Sequence, residues 1–301
     1  MNDGLSVTYI PAKTILSRNK STAWFGTDHT MNLYRGCSHG CIYCDSRSEC
    51  YGIEDFDRIT VKENVLPILQ KELQRKVKPA FIGMGSMSDP YNPLEKKLEL
   101  TRHALELIDG FSHGVKITTK SDLIARDIDI LSFIKEHSPV ICGLTLTTAD
   151  DDLAEKVEPR APSPSRRLGA MQALSKAGLF TGTLLMPVLP FLEDRLEQVL
   201  AVIEETAAHG GKFVYPAFGM TLRDRQRRHY LEQLERHFPD SGLRQQYEKR
   251  YRGQYNCTSP NASKLWDLCK RRCDELGLYC EMKHIVSAAK RGYGDRQLSF
   301  F

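Results

Sequence analysis

The sequence predicts an α/β fold in which parallel strands, with helices packed outside them, curl into a barrel or part of one. Two observations carry this. Short apolar runs alternate with amphipathic helical patterns through five strand–helix repeats and a sixth strand, the order that builds a parallel sheet with right-handed crossovers. Each of the first five strand exits carries polar or glycine-rich residues, and barrels of this kind gather their functional groups at those ends. A chain of 301 residues holds one such domain and a short appendage comfortably.

Taken in order, residues 1–30 are polar and weakly periodic and read as an irregular N-terminal segment. Strands are expected at 31–34, 80–84, 115–119, 140–146, 180–186 and 212–215, where apolar and β-branched residues cluster. Helices are expected at 61–76, 94–108, 121–136, 164–177 and 194–208 from their 3.6-residue periodicity. The barrel domain then spans 31–220. Beyond it the rhythm stops, and 221–301 reads as a basic extension with helices at 222–238, 243–251 and 261–276 and a loop at 291–296.

Hydrophobic content of 41% and charged content of 27% are those of an ordinary soluble globular protein. No apolar run approaches the roughly 20 residues of a membrane helix, so no membrane partner is expected. The opening Met1-Asn2-Asp3-Gly4 lacks a secretory order, and the expected location is the cytoplasm. Nine cysteines in that compartment read as metal ligands or small buried residues rather than disulfides. The net charge of +4 is too mild by itself to demand a polyanion. Its distribution is more suggestive: Arg223, Arg225, Arg227, Arg228, Arg236, Arg244, Lys249, Arg250 and Arg252 crowd one stretch. They form either a solvated helical face or a phosphate-contacting surface.

The most informative motif is Cys37-Ser38-His39-Gly40-Cys41-Ile42-Tyr43-Cys44. Thiols at this density in one loop can wrap one metal centre. Three of them leave one iron of a four-iron cube without a protein ligand, the open position that separates catalytic from structural metal sites. Zinc, or unrelated thiols, is the alternative. The second exit, Gly83-Met84-Gly85-Ser86-Met87-Ser88-Asp89, lacks the third glycine of a dinucleotide fingerprint. It is either a tight turn or a close backbone approach to a ligand, and Asp89 and Glu95 can equally serve as a cap and a helix-start charge.

The triplet, with aromatic Tyr43 before its third cysteine, resembles the cluster loop of the radical S-adenosylmethionine (SAM) enzymes. Further stretches resemble the branch that contains spore photoproduct lyase: Asn32-Leu33-Tyr34-Arg35-Gly36-Cys37, Ser88-Asp89-Pro90-Tyr91-Asn92-Pro93-Leu94-Glu95, Thr119-Lys120-Ser121, Glu158-Pro159-Arg160-Ala161-Pro162 and Pro187-Val188-Leu189-Pro190-Phe191-Leu192-Glu193-Asp194. The resemblance implies a partial (β/α)6 barrel of the TIM type. It also implies a 4Fe-4S cluster on Cys37, Cys41 and Cys44, and SAM chelated at the fourth iron. Cofactor contacts are implied for Tyr43, Gly85, Ser86, Asp89, Lys120, Thr145 and Glu158, with Lys120 on the SAM carboxylate. A reductant such as flavodoxin or ferredoxin is implied as electron donor, and nucleic acid as a candidate substrate.

Other residues read more blandly. Lys120 can be a solvated lysine, Thr145 an exposed strand-end hydroxyl, and Glu158 a residue that fixes a loop. His39, between the thiols, either tunes a cluster or, as the plainer expectation, lies in solvent, and Arg126-Asp127 reads as a structural ion pair across the barrel bottom. Cys142 reads as a buried inert thiol and Cys50 as an exposed one. Cys257, Cys269, Cys273 and Cys280 raise a second metal centre without forming a compact knuckle. Ser86 stands where the lyase branch has a hydrogen-donating cysteine, which separates this chain from authentic photoproduct repair. The alternatives are modification of a peptide or small metabolite, and a non-catalytic iron–sulfur module for electron transfer or sensing.

Overall fold

The computed structural model describes residues 7–76 and 78–293. The chain begins with β1 (Thr8–Ile10), β2 (Leu16–Arg18), β3 (His29–Met31) and β4 (Tyr34–Arg35). After a long loop come β5 (Thr60–Lys62), α1 (Val65–Gln74), β6 (Phe81–Met84), α2 (Glu95–Leu98) and α3 (Leu100–Gly110). Next, β7 (Gly114–Thr119) passes through a 3-10 turn at Asp122–Asp127 into α4 (Ile128–His137), and β8 (Val140–Thr145) precedes α5 (Asp151–Val157) and α6 (Pro164–Lys176). β9 (Phe180–Leu185), α7 (Leu196–Ala208) and β10 (Phe213–Pro216) complete the repeats. The remaining chain carries β11 (Gly219–Thr221), α8 (Asp224–His237), α9 (Leu243–Tyr251), β12 (Asn256–Thr258), α10 (Ala262–Leu276) and α11 (Met282–Ala289).

The main sheet runs β10-β9-β8-β7-β6-β3-β2. Strands β3 and β6 to β10 are parallel neighbours, and β2 is an antiparallel edge. Strands β10 and β2 lie at opposite edges, so the barrel is partial and open, as expected for a TIM-type (β/α)6 fold.

Alternation along each strand divides two cores. Val115, Ile117, Cys142 and Leu185 face outward with the helices in the large cluster. Phe81, Ile141, Leu184 and Phe213 face inward, where they meet Phe25 of the N-terminal segment and Ile285 and Ala289 of α11. Trp24 and Phe25 lie edge-on to Tyr215 at 5.5 and 5.7 Å, so the N-terminal segment packs against the edge strand β10.

Several expected elements are redrawn. The first strand is not one element at 31–34: β3 joins the main sheet beside β6, whereas β4 pairs with β5 in a small separate sheet. Leu33 lies outside either strand, and both it and Tyr34 are buried. The first helix starts at Val65 because β-branched Thr60 and Val61 pair with β1 and β4. The second breaks at Glu99, whose φ is +50°, while the buried Glu95 carboxylate accepts from Thr101 N at 2.8 Å. The N-terminal segment holds strands, and α5, α11 and the antiparallel β11–β12 ribbon were not expected. Of the expected loop at 291–296, residues 294–296 lie outside the described residues.

Gly182 sits where β9 and β10 converge, and a Cβ there would lie 2.3 Å from the Phe213 carbonyl oxygen. Gly182→Ala is expected to cost about 1–3 kcal/mol as an overpacking change. Urea denaturation checks this, and an unshifted midpoint would contradict the packing.

Candidate active site

The cysteine loop is fixed before any side chain of the triplet is considered. Gly36 has φ +82°, and a Cβ there would meet Arg58 O at 2.4 Å, so only glycine fits. Cys37 N donates to Phe56 O at 2.8 Å, Ile42 N to Val157 O at 3.0 Å, and Arg160 N to His39 O at 3.0 Å. The first ties the loop to the segment before β5, and the other two stitch it to the end of α5 and the residues after it.

Side chains tighten the same seam. Glu158 is buried beside Arg167, with Nη2 to Oε2 at 2.6 Å. That contact is a charge pair rather than an aligned hydrogen bond, and both atoms lack an aligned partner. Tyr43 donates its phenol to Glu158 Oε1, and Lys120 Nζ lies 3.9 Å from the same oxygen and over the Tyr43 ring at 5.6 Å. Burial alone would raise Glu158, but Arg167, Lys120 and the Tyr43 hydrogen bond hold it below the usual carboxylate range.

Asp89 accepts from Thr119 Oγ1 at 2.6 Å, Lys120 N at 2.8 Å and Tyr91 N at 2.9 Å. It therefore ties the second strand exit to the third. His39, expected in solvent, is buried with Nδ1 3.4 Å from Asp89 Oδ2, and burial lowers its pKa. Burial also raises the thiols, Cys37 to about 12 with the Asp89 charge adding to it, and Cys41 and Cys44 likewise upward. Among the described residues no three Cys, His, Asp or Glu side chains close around the position of a single ion.

Two chambers open beside the loop. The outer one, about 540 Å³, lies between Tyr43 and Cys44 on one side and β11 and β12 on the other. The inner one, about 290 Å³, sits within the curled sheet against Trp24, Lys116, Thr118 and Thr145. Ser86 and Met186 line both and divide them. Gly85, also on the inner chamber, has φ +87°, and a Cβ there would meet Thr118 O at 1.9 Å. The expected residues thus separate into groups. Tyr43, Gly85, Ser86 and Thr145 line the chambers, whereas Asp89 and Glu158 are committed to internal bonds. Lys120 stands between, beside Tyr43 and Glu158.

Much of the basic stretch turns inward. Arg223 donates to Asp45 Oδ2 at 2.7 Å and Ser48 Oγ at 2.9 Å, and Arg225 to Arg47 O at 2.7 Å and to Ile53 O. Arg227 donates to the carbonyls of Arg252 and Gln254, and Arg244 pairs with Glu235 and Glu248. Arg228, Arg236, Lys249, Arg250 and Arg252 are exposed. Arg126 and Asp127 do pair, but in the turn between β7 and α4 beside Glu95; that turn follows the C-terminal end of β7, not the barrel bottom. Cys142 is buried and Cys50 exposed, as expected. Cys269 and Cys273 approach to 3.9 Å between sulfurs, in the core behind α7.

Sequence reading missed Arg167, Lys116 and Trp24. Lys116 carried a signal, being a charged residue at an inward position of an otherwise apolar strand. Arg167 carried none, because an arginine in the first turns of a polar helix is ordinary.

A family model described as the radical SAM superfamily matches residues 31–215. An uncharacterised protein of Methanocaldococcus jannaschii is 34% identical over 244 residues, covering 80% of this chain and 87% of that one. An uncharacterised protein of Mycobacterium tuberculosis is 30% identical over 257 residues, covering 83% and 75%. Spore photoproduct lyase with bound AdoMet and dinucleoside spore photoproduct superposes with a TM-score of 0.66 at 17% identity, over 91% of this chain and 81% of that one; at that identity the likeness is one of fold. Radical SAM enzymes use a 4Fe-4S cluster and SAM, and they need a reductant. With the match spanning the sheet and its strand exits, this chain belongs to the radical SAM superfamily.

Proposed function

We propose that this protein is a radical SAM enzyme in which Cys37, Cys41 and Cys44 each hold one iron of a four-iron cluster. The observation that carries the reading is the sulfur triplet, anchored from behind by Glu158 and open to the outer chamber at Cys44. The donor set fits the group in kind. Three thiols on one loop, with Cys41 buried and Cys44 lining the outer chamber, are the soft donors that an iron–sulfur cluster takes. Burial holds the free thiols protonated, so the positive charge of a metal centre is what would hold them as thiolates.

A cluster held by Cys37, Cys41 and Cys44 would supply the electron for reductive cleavage of SAM and so hydrogen-atom abstraction chemistry. The chain's own residues orient and enclose. Gly85 lines the inner chamber and must be glycine because a Cβ would strike Thr118 O, so it sets how closely the second strand exit packs on the third. Lys120, held only loosely by Glu158, keeps ammonium donors for the SAM carboxylate. Ser86, between the chambers, offers no easily broken S–H bond, which argues against photoproduct repair in the lyase's manner. The electron donor fitting this reading is a flavodoxin or ferredoxin.

For the substrate, the likeness to a lyase holding a dinucleoside supports a nucleic acid. So does a surface cleft of about 530 Å³ beside Phe191, lined by Lys249, Arg250 and Arg252. The inward commitment of Arg223, Arg225 and Arg227, and the small inner chamber, favour instead a peptide or small metabolite.

Anaerobically reconstituted protein with dithionite and SAM is expected to form 5′-deoxyadenosine; iron-loaded protein that forms none would favour the electron-transfer or sensing module. Cys41→Ala is expected to abolish the brown chromophore and the product, and Cys273→Ala to leave both largely intact. Arg167→Ala, which strands Glu158, is expected to cost about 3–5 kcal/mol, measured by chemical denaturation. If nucleic acid is the substrate, retention on single-stranded DNA should weaken steeply with salt; no retention at low salt would leave the metabolite reading.

A further inference from the structure

Lys116 is an anomaly in this core. It lies on the inward face of β7, in register with Gly83 of β6 and Ile141 of β8, and is only 2% exposed. Its ammonium sits 4.4 Å from the Phe25 ring centroid and 5.4 Å from that of Trp24, and it donates to Thr118 Oγ1. Among the described residues it makes no ion pair, and its hydroxyl partner occupies one of three N–H donors.

Buried ammonium groups are otherwise paired, and two aromatic faces return only part of the lost hydration. A leucine or methionine would fill the same space without that cost. The unmet donors open on the inner chamber, and Lys116 is the single ionisable residue among the described ones that line it. Thr30 donates to Asn19 and Thr27 to the Trp24 carbonyl, so those two hydroxyl protons are not free for an anion. The chamber's volume of about 290 Å³ lies at the small end of ligand pockets, which run about 300–1,000 Å³. It suits a small molecule or the head of a larger one, and Trp24, 39% exposed, offers a flat face beside the charge.

We propose that Lys116 anchors an oxyanion of the substrate, a carboxylate or a phosphate, on the floor of the inner chamber. The proposal rests on the reading that the cofactor sits at the strand exits beside the cysteine loop, where Gly85, Ser86 and Thr145 lie, while Lys116, in register with Gly83 and Ile141, lies deeper in the same chamber. The electrostatics agree. Burial alone pushes Lys116 down to about 7, and no neighbouring charge contributes. Its surroundings are Trp24 and Phe25 from the N-terminal segment, Gly83 from β6, Thr118 on its own strand and Ile141 from β8, none of which ionises near neutrality. An arriving anion favours the charged amine, so affinity should fall as pH rises through about 7, by about tenfold per unit while the free amine is neutral and the bound one charged.

The test is calorimetric titration of the anaerobically purified full chain with acetate and with inorganic phosphate, on either side of that pH, with and without SAM. Lys116→Met should weaken the tighter-binding probe at least tenfold and abolish its pH dependence, and the better probe names the anion. Lysine side-chain NMR of the unsubstituted protein gives the same answer if Lys116→Met does not fold: the Lys116 ammonium signal should move on adding that probe. Equal binding by both proteins, or an unmoved signal, would overturn the proposal. So would displacement of the probe by SAM together with loss of SAM affinity in Lys116→Met, which would make this the cofactor's own carboxylate site. Because binding is read without turnover, an absence of 5′-deoxyadenosine would sink the enzymatic reading and leave this result legible.

Discussion

Glu158 is fully buried, and it stays ionised there only because Arg167, Lys120 and the Tyr43 phenol surround it. Each of those partners belongs to a different part of the chain: Arg167 to α6, Lys120 to the exit of β7, Tyr43 to the cysteine loop. One carboxylate therefore sets the height and angle at which the loop meets the sheet. A buried charge set of this kind adds little net stability relative to an apolar core, but removing one member is severe. Its value is positional. Tyr43 is flanked in sequence by the thiols' loop, so the network that holds the phenol also holds the sulfur triplet against the mouth.

The C-terminal part completes that mouth from the other side. Arg223 and Arg225 reach the backbone and carboxylates of the cysteine loop, Gln226 donates to Tyr43 O at 3.1 Å, and Thr221 donates to Asp45 at 2.8 Å. Arginine suits this work because its planar fork meets several carbonyls at once while remaining charged. The β11–β12 ribbon then forms the far wall of the outer chamber. An arginine-rich segment that looks like a polyanion surface in sequence is, in three dimensions, partly a brace.

The architecture was legible because its signals are local. Alternating apolar runs and helical periods mark the five parallel strands β6 to β10 and their helices, and cysteine spacing marks the loop. What stayed hidden depends on contacts distant in sequence. Chain reversal after Met31 separates β3 from β4, and neither residue type nor period shows it. Glu158 meets Tyr43 across 115 residues, so nothing near Glu158-Pro159 tells whether it faces a ligand or an internal partner. His39 was misjudged for the same reason, since Asp89 buries it from another strand exit. Arg225 of α8 finds its acceptors more than 170 residues away. Lys116 is the opposite case: its inward position follows from alternation alone, and the charge at that position was the clue.

The proposed function turns on one iron that no thiol of this protein would take and that the sulfonium cofactor would occupy. Electron paramagnetic resonance of the anaerobically reduced protein, recorded before and after adding SAM, addresses that most directly. A four-iron signal that changes shape on addition is the predicted result. A signal indifferent to SAM, or a protein that binds zinc in place of iron at Cys37, Cys41 and Cys44, would contradict it.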